Sequence, residues 1–327
     1  MVSSIFGLIG LKQFFATDNS TVKKHIYIYS PSGAVRDKAA FKRGVKRLGV
    51  LGYDVEVDVD ALSSHMRFAG DDETRLAAIH RACASGADIA LISRGGYGIT
   101  RMLADIQYKS VAKAIERGMH FVGISDFTAF QLAVLAKTGA VTWAGPALCE
   151  GFGVGGAPDL QPDDIMEDCF HDMASGQGEG TGWRQSQPLA GAPVNIHHAT
   201  IWGGNLSVLV SMVGTPFFPS IKGGILFLED VGEHPYQIER MLTQLLHAGV
   251  LADQKAIALG QFTGFKLSTH DKGYKFNTVV AWLQSQLKIP VLTNLPYGHV
   301  QTKVLLPVGK SAELAAEGKD VMLVWGH

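Results

Sequence analysis

From His25 onward the chain alternates short apolar runs with amphipathic ones, and nearly every apolar run ends on glycine, serine or a carboxylate. His25–Ser30 reads as a strand that stops at Pro31-Ser32-Gly33. Ala39–Leu51 has helical spacing and Tyr53–Val59 is strand-like. Asp71–Ser85 opens on acidic residues and carries Leu76, Ile79 and Ala82 on one helical face. Ala87–Ser93 is a near-continuous apolar strand closed by Arg94-Gly95-Gly96-Tyr97-Gly98, after which Ile99–Tyr108 resumes as helix. Strand His120–Ser125, helix Phe127–Lys137 and strand Val141–Ala147 complete the series. Strands apolar on both faces need helices on both sides, so this half is expected to form a mostly parallel, doubly wound sheet in an α/β fold.

Between Gly145 and Gly182 the texture changes to glycine-rich, with one short acidic helix at Asp163–Met173. This predicts a domain boundary. The expected division is an N-terminal extension over 1–23, a first domain over 24–150, a linker over 151–190 and a β-rich α/β domain over 191–327. The last of these holds a helix after Trp202-Gly203-Gly204-Asn205, strand Gly224–Asp230, helix Pro235–Ala248, strand Ala256–Phe262 and helix Asn277–Leu287. Strands Val291–Leu295, Lys303–Val308 and Val321–Trp325 follow.

Composition narrows the function. Lys and Arg number 29 against 30 Asp and Glu, and 46% of the chain is apolar, which excludes disorder and argues against nucleic-acid binding. No run approaches the length of a membrane span, and the apolar Met1–Phe15 is broken by Lys12 with no basic stretch before it, so no signal peptide is expected. Cys83, Cys149 and Cys169 form no CxxC, so a reducing, cytoplasmic setting is expected without disulfides or thiolate zinc. No HExxH or comparable histidine pattern is present, and neither a metal nor a cofactor is expected.

In an open α/β sheet, ligands bind beyond the carboxyl ends of the strands. At those ends stand Pro31-Ser32-Gly33, Gly95-Gly96-Tyr97-Gly98, Ser125-Asp126, Glu229-Asp230 and Gly298-His299. Gly123-Ile124-Ser125-Asp126-Phe127 resembles a nucleophile elbow, although Phe127 stands where that motif has glycine. Ser125 or Asp126 fits a helix cap equally well. The glycine turn can present backbone N–H groups to an oxyanion, or simply be a tight turn. Arg94 and Arg101 flank it, and either could meet a carboxylate or remain a solvated charge. Glu229 and Asp230 fit a histidine-orienting carboxylate or the cap of the next helix. Serine, acid and histidine in this chain order supply a nucleophile, its base and the group that fixes the base's tautomer. A glycine-rich boundary divides them, so the site is expected across a domain cleft.

These segments together resemble the L,D-carboxypeptidases (muramoyl-tetrapeptide carboxypeptidases), serine peptidases that include the microcin C immunity proteins. The resemblance runs from about Lys24 to the C-terminus. It is carried by Ser30–Gly33, Arg94–Gly98, Gly123–Asp126, Gly203-Gly204-Asn205-Leu206-Ser207, Leu226–Asp230, Ile238–Leu242 and Gly298-His299. It implies Ser125 as nucleophile, His299 as general base and then acid, and Glu229 as the residue orienting His299. It also implies an oxyanion hole from the Asp126 backbone N–H and one from the Gly95-Gly96 turn. Arg94, with Tyr97 beside it, is the first expectation for recognition of the substrate's terminal carboxylate. The implied enzyme is a cofactor-free cytoplasmic homodimer that removes terminal D-alanine from murein tetrapeptides during wall recycling. Two alternatives stay open: a self-immunity peptidase of the same fold cleaving aminoacyl-nucleotide antibiotics, and a non-enzymatic protein closing on an anionic ligand at Gly95–Gly98.

Overall fold

The computed structural model describes residues 23–157, 160–189 and 191–326; the expected N-terminal extension lies, except for Lys23, outside them. Five parallel strands make the first sheet: β1 (His25–Tyr29), β2 (Asp54–Val57), β3 (Ile89–Ile92), β4 (His120–Gly123) and β5 (Thr142–Ala144). Their order in space is β5-β4-β3-β1-β2. The connecting helices are α1 (Lys38–Val50), α2 (Asp72–Ala84), α3 (Tyr108–Glu116) and α4 (Phe127–Thr138). From β1 the chain steps outward to β2, then returns to the other side of β1 as β3. Loops leaving β1 and β3 therefore diverge and open a crevice at the strands' carboxyl ends. The Gly33 N–H crosses that crevice to the Gly95 carbonyl (3.2 Å).

The second sheet has the order β10-β9-β8-β7-β12-β13-β6. Its strands are β6 (Gly180–Arg184), β7 (Val194–Asn205), β8 (Ile225–Val231), β9 (Ala256–Thr263), β10 (Val291–Leu292), β12 (Ser311–Glu317) and β13 (Asp320–Val324). β7 to β10 run parallel, and β12, β13 and β6 extend the sheet antiparallel. Helices α6 (Leu206–Ser211), α7 (Pro235–His247) and α8 (Phe276–Gln286) join the parallel strands. The α/β class, with a mostly parallel first sheet and a second sheet richer in strands, is as the sequence implies.

Three features differ from the sequence reading. Ile99–Tyr108 is not a helix: only Ile99–Arg101 makes a 3-10 turn, and α3 begins at Tyr108. Ile99, Met102, Leu103 and Ile106 are buried as helical spacing requires, but the Ile99 N–H is held by the Asp126 carboxylate (3.0 Å), which fixes a tighter path. The stretch 151–190, read as a linker, holds the expected acidic helix but also a strand that the sequence reading did not include. Helix α5 (Asp164–Ser175) is capped by Asp163 and buries Met166, Phe170 and Met173, and β6 pairs with β13. Finally, β11 (Leu306–Val308) leaves the second half and pairs antiparallel with β5, Leu306 opposite Ala144 and Val308 opposite Thr142. The last stretch of chain thus completes the first sheet.

Helix α4 is buried continuously from Phe127 to Leu135. A helix apolar on all sides needs cover on all sides, and α4 has it: β5 on one side, α6 and β7 on the other. Phe130 stacks on Phe127 (4.8 Å between centroids) and tilts against Phe121 (5.4 Å). No helix among the described residues is long and apolar enough to cross a membrane. Phe130→Ala is expected to cost about 3–5 kcal/mol, the usual range for an aromatic deleted from a core, read as a lowered urea midpoint at unchanged slope.

Candidate active site

Ser125 sits in the three-residue connection between β4 and α4 with φ +67°. For a residue with a Cβ, this left-handed backbone costs roughly 1–2 kcal/mol, and it persists because both sides are fixed. β4 is buried between β3 and β5, and α4 is locked in the core. Gly95 faces the serine. A Cβ there would lie 2.5 Å from Ser125 Cβ and 2.8 Å from its Oγ, so only glycine lets the two loops meet. Ser125 keeps partial exposure, and its Oγ makes no hydrogen bond among the described residues.

Asp126 turns inward. It is 1% exposed and does not cap α4 with its side chain. Its Oδ2 accepts from Ser32 Oγ (2.8 Å) and from the Ile99 N–H (3.0 Å). One carboxylate thus ties together the loops after β1, β3 and β4. Burial pushes its pKa up, opposed by those hydrogen bonds and by the charge of Arg75. Arg75 is itself fully buried, donating to the Pro31 carbonyl (3.2 Å) and paired with Asp72. The backbone N–H groups of Gly96 and Asp126 donate to no backbone acceptor among the described residues.

The expected substrate-binding pair stands at the rim. Arg94 is held by Glu150 (3.4 Å) and the Ala34 carbonyl (3.4 Å), and its side chain is largely covered. Tyr97 is exposed, resting on Phe68 and Arg67.

The second half brings Glu229 and His299 together: His299 Nδ1 lies 2.8 Å from Glu229 Oε2. The backbone explains how. Between Leu228 and Asp230 the register with β9 slips, with β9 spending an extra residue opposite Glu229. At that bulge the Gln261 N–H turns to the Tyr297 carbonyl (2.8 Å), so the loop carrying His299 lies directly against β9. Gly298 makes the final bend at φ +143°; a Cβ there would stand 2.9 Å from the Gln261 carbonyl and 3.2 Å from Glu229 Oε2. Glu229 is fully buried, whereas His299 keeps about a quarter of its side chain exposed. Burial disfavours the imidazolium, but the hydrogen bond and charge of Glu229 outweigh it and raise the His299 pKa. Asp230, buried beside Glu229 and repelled by it, is pushed up to about 6.

Asn205 was not among the candidates, yet it connects everything. Its Nδ2 donates to Glu229 Oε1 (3.2 Å) and Asp230 Oδ1 (2.9 Å), and its Oδ1 caps α6 at Val208 (3.2 Å). Its backbone N–H donates to Thr128 Oγ1 (3.0 Å), and the Thr128 N–H donates to the Ser125 carbonyl (2.9 Å). Four hydrogen bonds therefore lead from the Ser125 backbone to the His299 ring. Its sequence signals were its position after two glycines at a strand end and its place in one of the motifs of the family resemblance, neither of which gave it a role. Among the described residues, no group of three or more His, Cys, Asp or Glu side chains is placed to hold a metal ion.

A serine on a left-handed turn, an acid–histidine pair and unpaired backbone N–H groups are the parts a serine-type hydrolase requires, with no hydrogen bond yet joining Ser125 to His299 among the described residues. The family comparisons are more specific. The LD-carboxypeptidase N-terminal domain matches residues 26–145 and the LD-carboxypeptidase C-terminal domain matches residues 198–314. The chain belongs to the LD-carboxypeptidase family and is a serine-type carboxypeptidase. It is similar to the crystal structure of muramoyltetrapeptide carboxypeptidase from Oxalobacter formigenes, at 41% identity and TM-score 0.81, covering 92% of this chain and 99% of that one. It is 28% identical to the murein tetrapeptide carboxypeptidase of Pseudomonas aeruginosa over 88% of this chain and 92% of the relative. The microcin C7 self-immunity protein of Escherichia coli is 25% identical over 70% of this chain and 71% of its own length.

Gly95→Ala, whose Cβ would push against Ser125, is expected to lose more than about 100-fold in kcat by displacing Ser125 from its donors, with folding checked separately by circular dichroism. Wild-type-like turnover in that variant would show that the Gly95–Ser125 approach is irrelevant to the chemistry.

Proposed function

We propose that this protein releases the terminal D-alanine from murein tetrapeptides by a Ser-His-Glu acyl-enzyme mechanism. The observation that carries this reading is the His299–Glu229 pair at 2.8 Å, tied by hydrogen bonds to a serine on a left-handed turn. The 41% identity to a muramoyltetrapeptide carboxypeptidase supports murein peptide as substrate over the self-immunity alternative, whose relative is 25% identical.

Ser125 Oγ attacks the carbonyl preceding D-alanine while His299 Nε2 takes its proton. Glu229 holds the Nδ1–H, which fixes the tautomer and stabilises the imidazolium that forms. The oxyanion is met by the N–H groups of Asp126 and of Gly96 in the Gly95-Gly96 turn, donors whose positions are already set by Asp126 and by the Gly33–Gly95 contact. The tetrahedral species collapses, His299 returns the proton to the departing D-alanine amine, and an acyl-serine remains. Water, activated by the same histidine, releases the tripeptide. Arg94 and Tyr97 border the entrance, Arg94 bracing the glycine turn and Tyr97 offering an exposed ring to the peptide. The setting is the cytoplasm and wall-fragment recycling, with the protein acting as a homodimer; the three unpaired cysteines fit a reducing compartment.

Wild-type protein incubated with a murein tetrapeptide is expected to release D-alanine, and Ser125→Ala to lower kcat by more than about a thousandfold. Activity surviving in Ser125→Ala would overturn the mechanism. The pH profile gives a second test. The base must be neutral, so kcat/KM rises as His299 loses its proton, and because Glu229 raises that pKa, the acid limb should lie above the ordinary histidine value. Glu229→Gln removes the raising charge and leaves burial to act, so the limb should move to lower pH while kcat falls by roughly 10²- to 10⁴-fold. An unmoved limb would mean that another group controls it.

A further inference from the structure

Lys303 lies four residues beyond His299, on the segment that runs into β11. It is 2% exposed. Lysines this buried are ordinarily paired, yet its ammonium makes no hydrogen bond or ion pair among the described residues. Its backbone is pinned on both sides, Thr302 Oγ1 donating to Asp163 Oδ2 (2.6 Å) and the Val304 N–H to the Pro296 carbonyl (2.8 Å). Burial pushes the Lys303 pKa down, while Glu150, Glu229 and Asp163 oppose that, and His299 in turn feels the lysine's charge. The ammonium thus stands within electrostatic reach of both the His299–Glu229 pair and the Glu150 carboxylate held by Arg94.

We propose that Lys303 receives the free terminal carboxylate of the substrate peptide; this rests on the serine carboxypeptidase reading above. Of the three carboxylates that act on Lys303, Glu229 and Glu150 are committed to His299 and Arg94, and Asp163 accepts from Thr302 Oγ1 and the Met166 N–H. Arg94 already has a carboxylate partner, whereas Lys303 has none. A peptide lying with its scissile carbonyl at Ser125 carries its terminal carboxylate one residue further on, and a desolvated cation gains most from an anion that arrives there. A peptide that continues, or ends in an amide, brings no such charge and leaves the lysine unpaired. This makes Lys303 a source of preference for the chain end over an internal bond.

The test measures binding of a murein tetrapeptide and of the same peptide amidated at its C-terminus to the Ser125→Ala protein, by calorimetry. The acid should bind more tightly by about 10- to 100-fold, the range of a charge-assisted hydrogen bond at a buried site. Adding Lys303→Met should erase the difference, Lys303→Gln should do the same, and Lys303→Arg should retain part of it. In proteins with Ser125 intact, Lys303→Met should raise KM for the acid far more than it lowers kcat. Equal binding of acid and amide by Ser125→Ala, binding of neither, or a preference surviving both neutral variants would overturn the assignment. A matching loss for acid and amide would likewise overturn it, because it would mean that the lysine only supports the fold or tunes His299. If one neutral variant does not fold, as thermal unfolding would reveal, the other decides. A wild type that releases no D-alanine would sink the proposed reaction, while the acid-over-amide difference would still report on Lys303.

Discussion

The architecture of the site depends on how one asparagine satisfies its hydrogen bonds. Asn205 ends β7 and faces two buried carboxylates, Glu229 and Asp230, that repel each other. A single amide N–H₂ reaches both, which lowers the cost of holding adjacent acids out of water. Its backbone N–H at the same time reaches Thr128, one turn into the helix that follows Ser125. The position of the acid in one sheet and of the serine in the other are thus set by the same residue.

Around this link the two sheets contribute differently. The first supplies rigidity to a strained turn: a left-handed serine is tolerated because α4 is covered on every side and Asp126 ties down three loops. The second supplies tuning. An extra residue in β9 lets the histidine loop lie close, and a fully buried glutamate raises the pKa of a partly exposed imidazole. Neither sheet by itself holds all three of Ser125, Glu229 and His299.

Much of this was legible in the sequence because it is local. Strand ends announce themselves by composition, and Ser125, Glu229 and His299 stand directly at them. A serine nucleophile's need for a base and a carboxylate pointed to this group of residues, while the choice of Glu229 over Asp230 came from the family resemblance. What could not be read depends on distant parts of the chain. The Ile99–Tyr108 run has helical spacing, but Asp126, far away in sequence, captures its first N–H. Within 151–190 the acidic helix was expected, but the edge strand β6 was not, because its partner β13 lies at the far end of the chain. Asn205 and Lys303 are ordinary polar residues until burial removes their solvent. Arg94 looked free, and Glu150 proves to occupy it.

The route of β11 bears on how such a hydrolase is made. The strand that closes the edge of the first sheet follows His299 in the chain and pairs with β5. A nascent chain long enough to display Ser125 therefore still has an open sheet edge beside β5, and the segment that closes it emerges only after His299. The first sheet is finished from the far end of the chain, so that edge stays uncovered through most of synthesis.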